Sequence, residues 1–454
     1  MMKLDKVFAI ILLLTALKMT AQFDAVAYDF FGSATALQTN PGAKYPYSKR
    51  LGVPFLTNIQ AFAGSSGFSL ADLFGTNQSF DANVYQTVAG LTNTDFVLVH
   101  YRHDLFSYGR TDDLERFKYF GLYWETDYIT YTPADLLNLG LYGNAPYMDQ
   151  TFEAKYLAGK AELVQTIYYG VHKNPNPSLN IGYRFKLYSG LANVQSMHNS
   201  GRFYTNEGQN NFYIHHLEDI DLKVQSSGYQ EDAGLGHYLG KLLFSGNYGP
   251  GFDLGVTYDM NHRTAISAAI LDLGFIYYTT DINNTYVKGS FQFEGAQLQF
   301  PESSYIDYWK DVKDSFNKNI RKTDNNDAYI SWRPTTVYAG VKTGLGNIEK
   351  QDCKNFLNPI TQYSDFIGFT GFAQYRPVKI HLGASAYYEK KWSKYFYTKI
   401  NITADNFSYS AVGAGLVLNM GALQMSVMAD NLIGLSDVAQ SRKQAIQFGL
   451  NFVK

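Results

Sequence analysis

One cysteine, Cys353, stands in the whole 454-residue sequence, so no disulfide can form within the chain. It also lies far from the start, so no lipid-anchor motif precedes the mature chain. Charged residues are scarce at 17%, and the net charge is −2. That balance excludes the basic footprint of a nucleic-acid-binding protein or a polybasic membrane-surface protein. No segment beyond the N-terminal leader offers the roughly eighteen uninterrupted apolar residues of a transmembrane helix. His-Glu-x-x-His, the phosphate-binding loop and the dinucleotide fingerprint are all missing. Gly64-Ser-Ser-Gly67 is not the Gly-x-Ser-x-Gly elbow and has no strand-turn-helix context. His215 and His216 are adjacent on a strand and point to opposite faces, so they cannot share a metal. Asp324-Asn-Asn-Asp327 lacks the spacing of a calcium loop and reads as a solvated turn. An enzyme, a cofactor and a metal site are therefore not expected.

Aromatic residues are plentiful: 16% of the chain, with 37 Tyr and 32 Phe. Membrane barrels consume Tyr and Phe in the girdles at their two interfaces. The mean hydropathy of −0.22 fits, because half of each barrel strand faces a polar interior. The final stretch, residues 444–454, sets Ile446, Phe448, Leu450 and Phe452 against Gln447, Gly449 and Asn451. This is a strand with one apolar face, of the kind that closes a barrel onto its first strand. Residues 179–188 alternate in the same way: Leu179, Ile181, Tyr183, Phe185 and Leu187 oppose Asn180, Gly182, Arg184, Lys186 and Tyr188. Similar segments of about ten residues, a tilted membrane crossing, occur at 96–105, 252–260 and 286–294. Further strands are expected near 117–129, 162–173, 212–225, 264–278, 328–343, 366–376, 379–388, 396–404, 407–418 and 421–429.

Residues 1–21 carry Lys3 and Lys6, then an apolar run from Val7 to Leu17, and are expected to be an export signal. Residues 22–50 are poorly periodic and contain the turn Asn40-Pro41-Gly42. Residues 51–454 are expected to form the barrel. Ile306, Trp309, Val312, Phe316 and Ile320 have helical spacing, so a helix is inserted near 302–320. Shorter helical loops are expected at 81–91 and 133–139.

The segment with Asn40-Pro41-Gly42 resembles the Asn-Pro-Ala hatch of FadL-type fatty-acid channels and the similar hatch of PorV from the type IX secretion system. Gly52-Val-Pro-Phe-Leu-Thr-Asn58 and Ser66-Gly-Phe-Ser-Leu-Ala-Asp-Leu-Phe74 resemble an uncharacterised family of Bacteroidota outer-membrane proteins distantly related to both. Gly182-Tyr-Arg-Phe-Lys-Leu-Tyr-Ser-Gly190, Gly251-Phe-Asp-Leu-Gly-Val-Thr-Tyr258, Ile270-Leu-Asp-Leu-Gly-Phe-Ile276 and Asp430-Asn-Leu432 match the same family. The resemblance implies an all-β chain in the cell outer membrane, a transmembrane antiparallel barrel of about 14 strands with residues 22–50 as a hatch in its lumen. The candidate strands slightly outnumber fourteen. It also implies a FadL-like function, binding or passing a small hydrophobic molecule. The alternative is a PorV-like docking subunit of an outer-membrane secretion or assembly complex, suggested by the long polar, aromatic loops at 195–211 and 225–249. Expected partners are outer-membrane lipid, a hydrophobic small molecule, or other outer-membrane and secreted proteins. Gly42 replaces the family's Ala, and no fatty-acid-site motif is present, so FadL's substrate does not carry over.

Lumen and hatch candidates are Asn40, Pro41, Gly42, His100, Arg102, Arg184, Lys186, Asp253, Lys288 and Glu294. Strand parity turns the charged ones away from lipid, where a midplane Arg or Lys costs roughly 2–4 kcal/mol. At least two of Arg102, Arg184, Lys186, Asp253 and Glu294 are expected to hydrogen-bond residues 22–50.

Overall fold

Period-two alternation buries one face of every strand and leaves the other apolar and outward, and a ring is the arrangement that leaves no strand edge open. The computed structural model describes residues 25–208, 213–228, 241, 245–294, 308–346 and 363–454. The expected export signal lies outside them. The wall consists of β1 (Lys49–Gly52, resuming at Asn58–Ser65), β2 (Phe96–Thr111), β3 (Phe117–Tyr131), β4 (Gly159–Asn176), β5 (Leu179–Ser196), β6 (Tyr248–Asp259) and β7 (Thr264–Tyr278). It continues with β8 (Tyr329–Trp332 and Thr336–Leu345), β9 (Asp365–Gln374), β10 (His381–Ser393), β11 (Phe396–Asp405), β12 (Ala411–Met420), β13 (Leu423–Asp430) and β14 (Lys443–Val453). Each strand pairs antiparallel with the next, and β14 pairs with β1, as in Ile59 opposite Phe448. The result is a closed fourteen-stranded antiparallel barrel.

Inside and outside follow the parity read from the sequence. On β5, Arg184 and Lys186 are buried, while Phe185 and Leu187 are 57% and 51% exposed on the outer face. On β6, Asp253, Thr257 and Asp259 are buried, and Leu254 and Tyr258 face out. Large apolar side chains facing outward in this regular band are what a hydrocarbon environment requires.

Several strands depart from regular pairing, among them β1, β7 and β8. In β1, residues 53–57 leave the sheet as a turn, with Phe55 in the left-handed region at φ 61°. Pro54 lies in that turn, where its missing N–H breaks no ladder bond. In β7, a bulge opposite Phe252 and Leu254 accompanies Asp272 at φ 56°, which aims this carboxylate at inward Lys186. In β8, the expected continuous strand is interrupted at Arg333-Pro334-Thr335, because Pro334 cannot donate to the ladder.

At one end of the barrel several turns are short, as at 112–116, 177–178 and 260–263, and the chain terminates there. Ser48 N–H donates to the Lys454 carbonyl at 2.6 Å, so the N-terminal segment joins the wall at this end. At the opposite end most connections are long. They carry the helices Leu70–Phe74, Phe80–Ala89 and Ala134–Tyr142, the last two at the expected places. Ser69 and Asp72 form a reciprocal capping box that starts the first of them.

A second sheet rises from the long-loop end. Its strands Phe152–Glu153, Ser200–Glu207, Tyr213–Ser227, Asn284–Phe293 and Ile320–Asn325 pair in that order. Two expected wall strands, 212–225 and 286–294, belong to this sheet, which is why the candidates exceeded fourteen. Part of the expected loop 195–211 is likewise a strand. Lys288 and Glu294 are therefore corrected: neither is in the barrel lumen. Lys288 has a side chain 75% exposed and pairs with Asp221 at 3.2 Å, and Glu294 directly follows the strand Asn284–Phe293. Alternation says which residues share a face but not which sheet the face belongs to. The inserted helix spans Tyr308–Asn319, and Phe316 meets Phe291 edge-on at 5.4 Å. The outer strand Ile320–Asn325 carries Arg321, Lys322 and Asp324, charges that discourage edge-to-edge pairing. On the sheet surface, the Tyr204 hydroxyl and Arg202 hold the Glu218 carboxyl below its ordinary range.

Candidate functional site: the barrel interior and its N-terminal segment

Residues 25–44 have no long periodic element, only turns and the four-residue helix Ala36–Thr39. Their backbone groups must therefore find partners elsewhere, and they find them on the wall. Ala34 N–H donates to Gln424 at 2.6 Å and Phe31 N–H to Glu389 at 3.1 Å. Lys342 and Lys399 donate to the carbonyls of Asp29 and Tyr28 at 2.6 and 2.7 Å. Arg184 donates to the Gln38 carbonyl at 3.0 Å, and the Gln38 amide donates to Asp104 while accepting from Asn58. Lys44 donates to Asp259 at 2.6 Å, and Tyr28 hydroxyl to Ser267 at 3.2 Å. With His172, these partners lie on ten of the fourteen wall strands (β1, β2, β4 to β8, β10, β11 and β13), so the segment is enclosed on all sides.

The turn Asn40-Pro41-Gly42 sits in a slot made by two wall glycines. Gly182 and Gly255 are direct partners on β5 and β6. A Cβ on Gly182 would stand 1.8 Å from the Pro41 carbonyl oxygen, and one on Gly255 would stand 2.1 Å from Asn40 Oδ1. A Cβ on Gly42 would in turn meet the Gly255 carbonyl oxygen at 2.4 Å. Here backbone approaches backbone, and only glycine leaves room. In the same row, His172 Nδ1–H donates to the Pro41 carbonyl at 3.1 Å. Asn40 Oδ1 accepts from Gly42 N–H at 2.9 Å, which closes the turn locally.

Of the other candidates, Arg184 pairs with Asp253, and Lys186 with Asp253 and Asp272. Arg102 pairs with Asp104 at 2.8 Å, and His100 lies 3.3 Å from Asp127. Of the five residues expected to bond the N-terminal segment, Arg184 does so directly. Arg102, Lys186 and Asp253 engage wall residues instead, and Asp253 fixes Arg184. The wall holds further buried pairs: Arg333 with Glu125 and Glu162, Arg376 with Asp127, and Lys443 with Asp405 and Asp430. Such charges persist in a dry interior only when each has its partner. Arg333 and Asp272 escaped sequence reasoning because both sit at breaks in alternation, although Pro334 inside a strand was a usable signal. Among the described residues, no group of His, Cys, Asp and Glu is placed to hold a metal.

Next to these ion pairs lies an apolar cluster. At the long-loop end Phe96 meets Phe407 at 5.2 Å and Tyr131 at 5.8 Å, and Phe62 meets Phe407 at 4.8 Å. Leu98, Ile129, Ala269 and Leu271 continue it. It reaches Phe372 and Tyr338, and ends where Tyr338 stacks at 4.7 Å on Tyr28 of the N-terminal segment. Along β2 and β3 the same inward face thus passes from aromatic residues at the long-loop end to ion-paired ones, and both groups reach residues 25–44.

The family model for a family of unknown function, DUF5723, matches residues 41–430. The chain belongs to that family. No curated protein matches it by sequence. Its structure is similar to the toluene transporter TodX of Pseudomonas putida, at 9% identity and TM-score 0.39, over 94% of each chain. It is also similar to a FadL homologue of Pseudomonas aeruginosa, at 8% identity and TM-score 0.43, over 96% of this chain and 98% of that one. A TodX mutant described as a monoaromatic hydrocarbon channel has 11% identity and TM-score 0.44, over 93% and 95%.

Proposed function

We propose that this DUF5723 protein is an outer-membrane barrel whose N-terminal segment is a hatch, and that it binds or passes a small hydrophobic molecule. The supporting observation is the aromatic cluster that leads from Phe96 and Phe407 at the long-loop end to Tyr28 of the segment. An apolar solute loses little there, whereas displacing the buried ion pairs would leave charges without partners. The hatch is joined covalently to the wall through residue 48, and its other ties are hydrogen bonds, ion pairs and side-chain packing, each separable. In this reading the long loops face outward and the short turns face the periplasm.

Deletion of residues 22–47 is expected to give purified protein in liposomes a steady ionic conductance that the intact chain lacks. An environment-sensitive apolar dye should bind the intact barrel, and Leu98→Gln should weaken that binding about fivefold by placing an amide in the cluster. If the deleted barrel stays non-conducting and the dye binds wild type and Leu98→Gln equally, the transport reading fails. A partner recovered in equal amount after mild extraction would favour the docking alternative, for which the second sheet offers the surface.

A further inference from the structure

We propose that the inner wall carries a site for the α-ammonium group that export processing creates at Gln22. Asp430 and Asn401 are the recognising residues, and the bond anchors the free end of the N-terminal segment. The inference rests on the reading of residues 1–21 as an export signal and of the segment as a hatch. Inside the long-loop end of β11 to β14, Lys443 Nζ meets Asp405 at 2.6 Å and Asp430 at 2.9 Å. Among the described residues it is the one cation in contact with either carboxylate, so two buried negative charges share one positive charge. Asp405 is satisfied, because its Oδ1 accepts the Phe407 and Ser408 N–H groups at 2.9 and 3.0 Å. Asp430 differs: Lys443 occupies its Oδ2, and its Oδ1 has no donor among the described residues.

A second oxygen faces the same point. Asn401 gives its amide N–H groups to the Ser385 and Thr403 hydroxyls at 3.0 and 2.8 Å, and its Oδ1 accepts nothing among the described residues. A Cβ on Gly413 would stand 2.5 Å from Asn401 Oδ1, 2.8 Å from Asp430 Oδ1 and 2.9 Å from Val26 Cγ2. The missing side chain of Gly413 thus lets two acceptors converge beside Val26. Both belong to residues only 2% exposed, and Asp430 also lines a small cavity against Val26 and Ala27. Two buried acceptors beside uncompensated negative charge suit a compact cation with several N–H groups. Gln22 is four residues from Val26, a reach of up to about 13 Å. When a peptidase hydrolyses the bond between Ala21 and Gln22, the water oxygen goes to the Ala21 carboxylate and the Gln22 nitrogen becomes an ammonium. Before cleavage that nitrogen is a neutral amide, and residues 22–24 carry only the negative charge of Asp24. Seating of the segment is in this way tied to completed export.

The test is brief acetylation of the exported, purified protein at pH 7 with an amine-reactive ester. Mass spectrometry of the N-terminal peptide reads both its first residue and the rate at which its α-amine is acetylated. Wild type is expected to react about tenfold slower than Asp430→Asn, in which the ammonium loses its carboxylate. Asparagine still offers an oxygen to Lys443 and an N–H to Asn401, so a merely structural Asp430 leaves the rate unchanged. A second variant, with Gly-Ser-Gly-Ser inserted between Ala21 and Gln22, displaces the ammonium from the site and should react as fast as Asp430→Asn. Heat-modifiable migration checks that each variant is folded. Equal rates in wild type and Asp430→Asn overturn the proposal. So does a purified chain that retains residues 1–21 or has no free α-amine. Protease added to wild type separates the two readings: cleavage within residues 22–47 ends the hatch reading, whereas a protected segment with equal acetylation rates ends only this inference.

Discussion

Gly255→Val is expected to unseat the N-terminal segment while the wall stays closed. The Cβ position at residue 255 lies 2.1 Å from Asn40 Oδ1 and 2.6 Å from Gly42 N. Gly42 N is a backbone atom of a turn closed on itself, so it cannot swing aside as a flexible side chain could. Overpacking of a well-filled interior costs roughly 1–3 kcal/mol, occasionally more, and the branched valine adds two further carbons at the same spot. The wall can keep its ladder, because valine suits a strand and β5 and β6 pair over eleven positions. Limited proteolysis should therefore cleave within residues 22–47 of Gly255→Val, with the core band still heat-modifiable, while wild type resists. Serine at Gly182 should act in the same direction, since its Cβ would meet the Pro41 oxygen at 1.8 Å. If both variants protect residues 22–47 as wild type does, the turn is not held by this slot.

Arg333→Met should destabilise the barrel more than any other single change among the buried ion pairs. The guanidinium is fully buried and reaches Glu125 through one terminal nitrogen and Glu162 through the other. Glu162 keeps Lys160 at 2.9 Å, but Glu125 loses the cation that balances it. Breaking a buried pair from one side typically costs about 3–5 kcal/mol, because the remaining charge has neither water nor partner. The urea midpoint for loss of the folded, heat-modifiable form should fall markedly. Adding Glu125→Gln alone to Arg333→Met should recover most of the loss, since a neutral group needs no counter-charge and Glu162 still balances Lys160. An Arg333→Met protein with the wild-type midpoint would refute the network's role.

Part of this protein was decided by the sequence alone. Alternation is local: whether Phe185 faces out and Arg184 faces in follows from the pleat and from lipid on one side, so parity on β5 and β6 was legible without a fold. The scarcity of charge and the abundance of Tyr and Phe belong to the same local logic. So does the helix at Tyr308–Asn319, which needs only its own apolar spacing. The turn at Asn40-Pro41-Gly42 was also visible, because Asn and Pro set its backbone directly.

What closes around that turn was not visible. Gly182 and Gly255 are 73 positions apart and become one slot only through the β5–β6 register. The same holds for Lys342, Glu389 and Lys399, whose link to residues 28–31 depends on the barrel's curvature bringing distant strands around one centre. Lys288 makes the converse point. Its alternation was read correctly, yet the strand belongs to a second sheet, because period two records the faces of a strand and carries no label for the sheet it joins. Sequence thus determined which side chains share a face, and tertiary pairing decided which faces meet, since the bonds that join them span hundreds of residues.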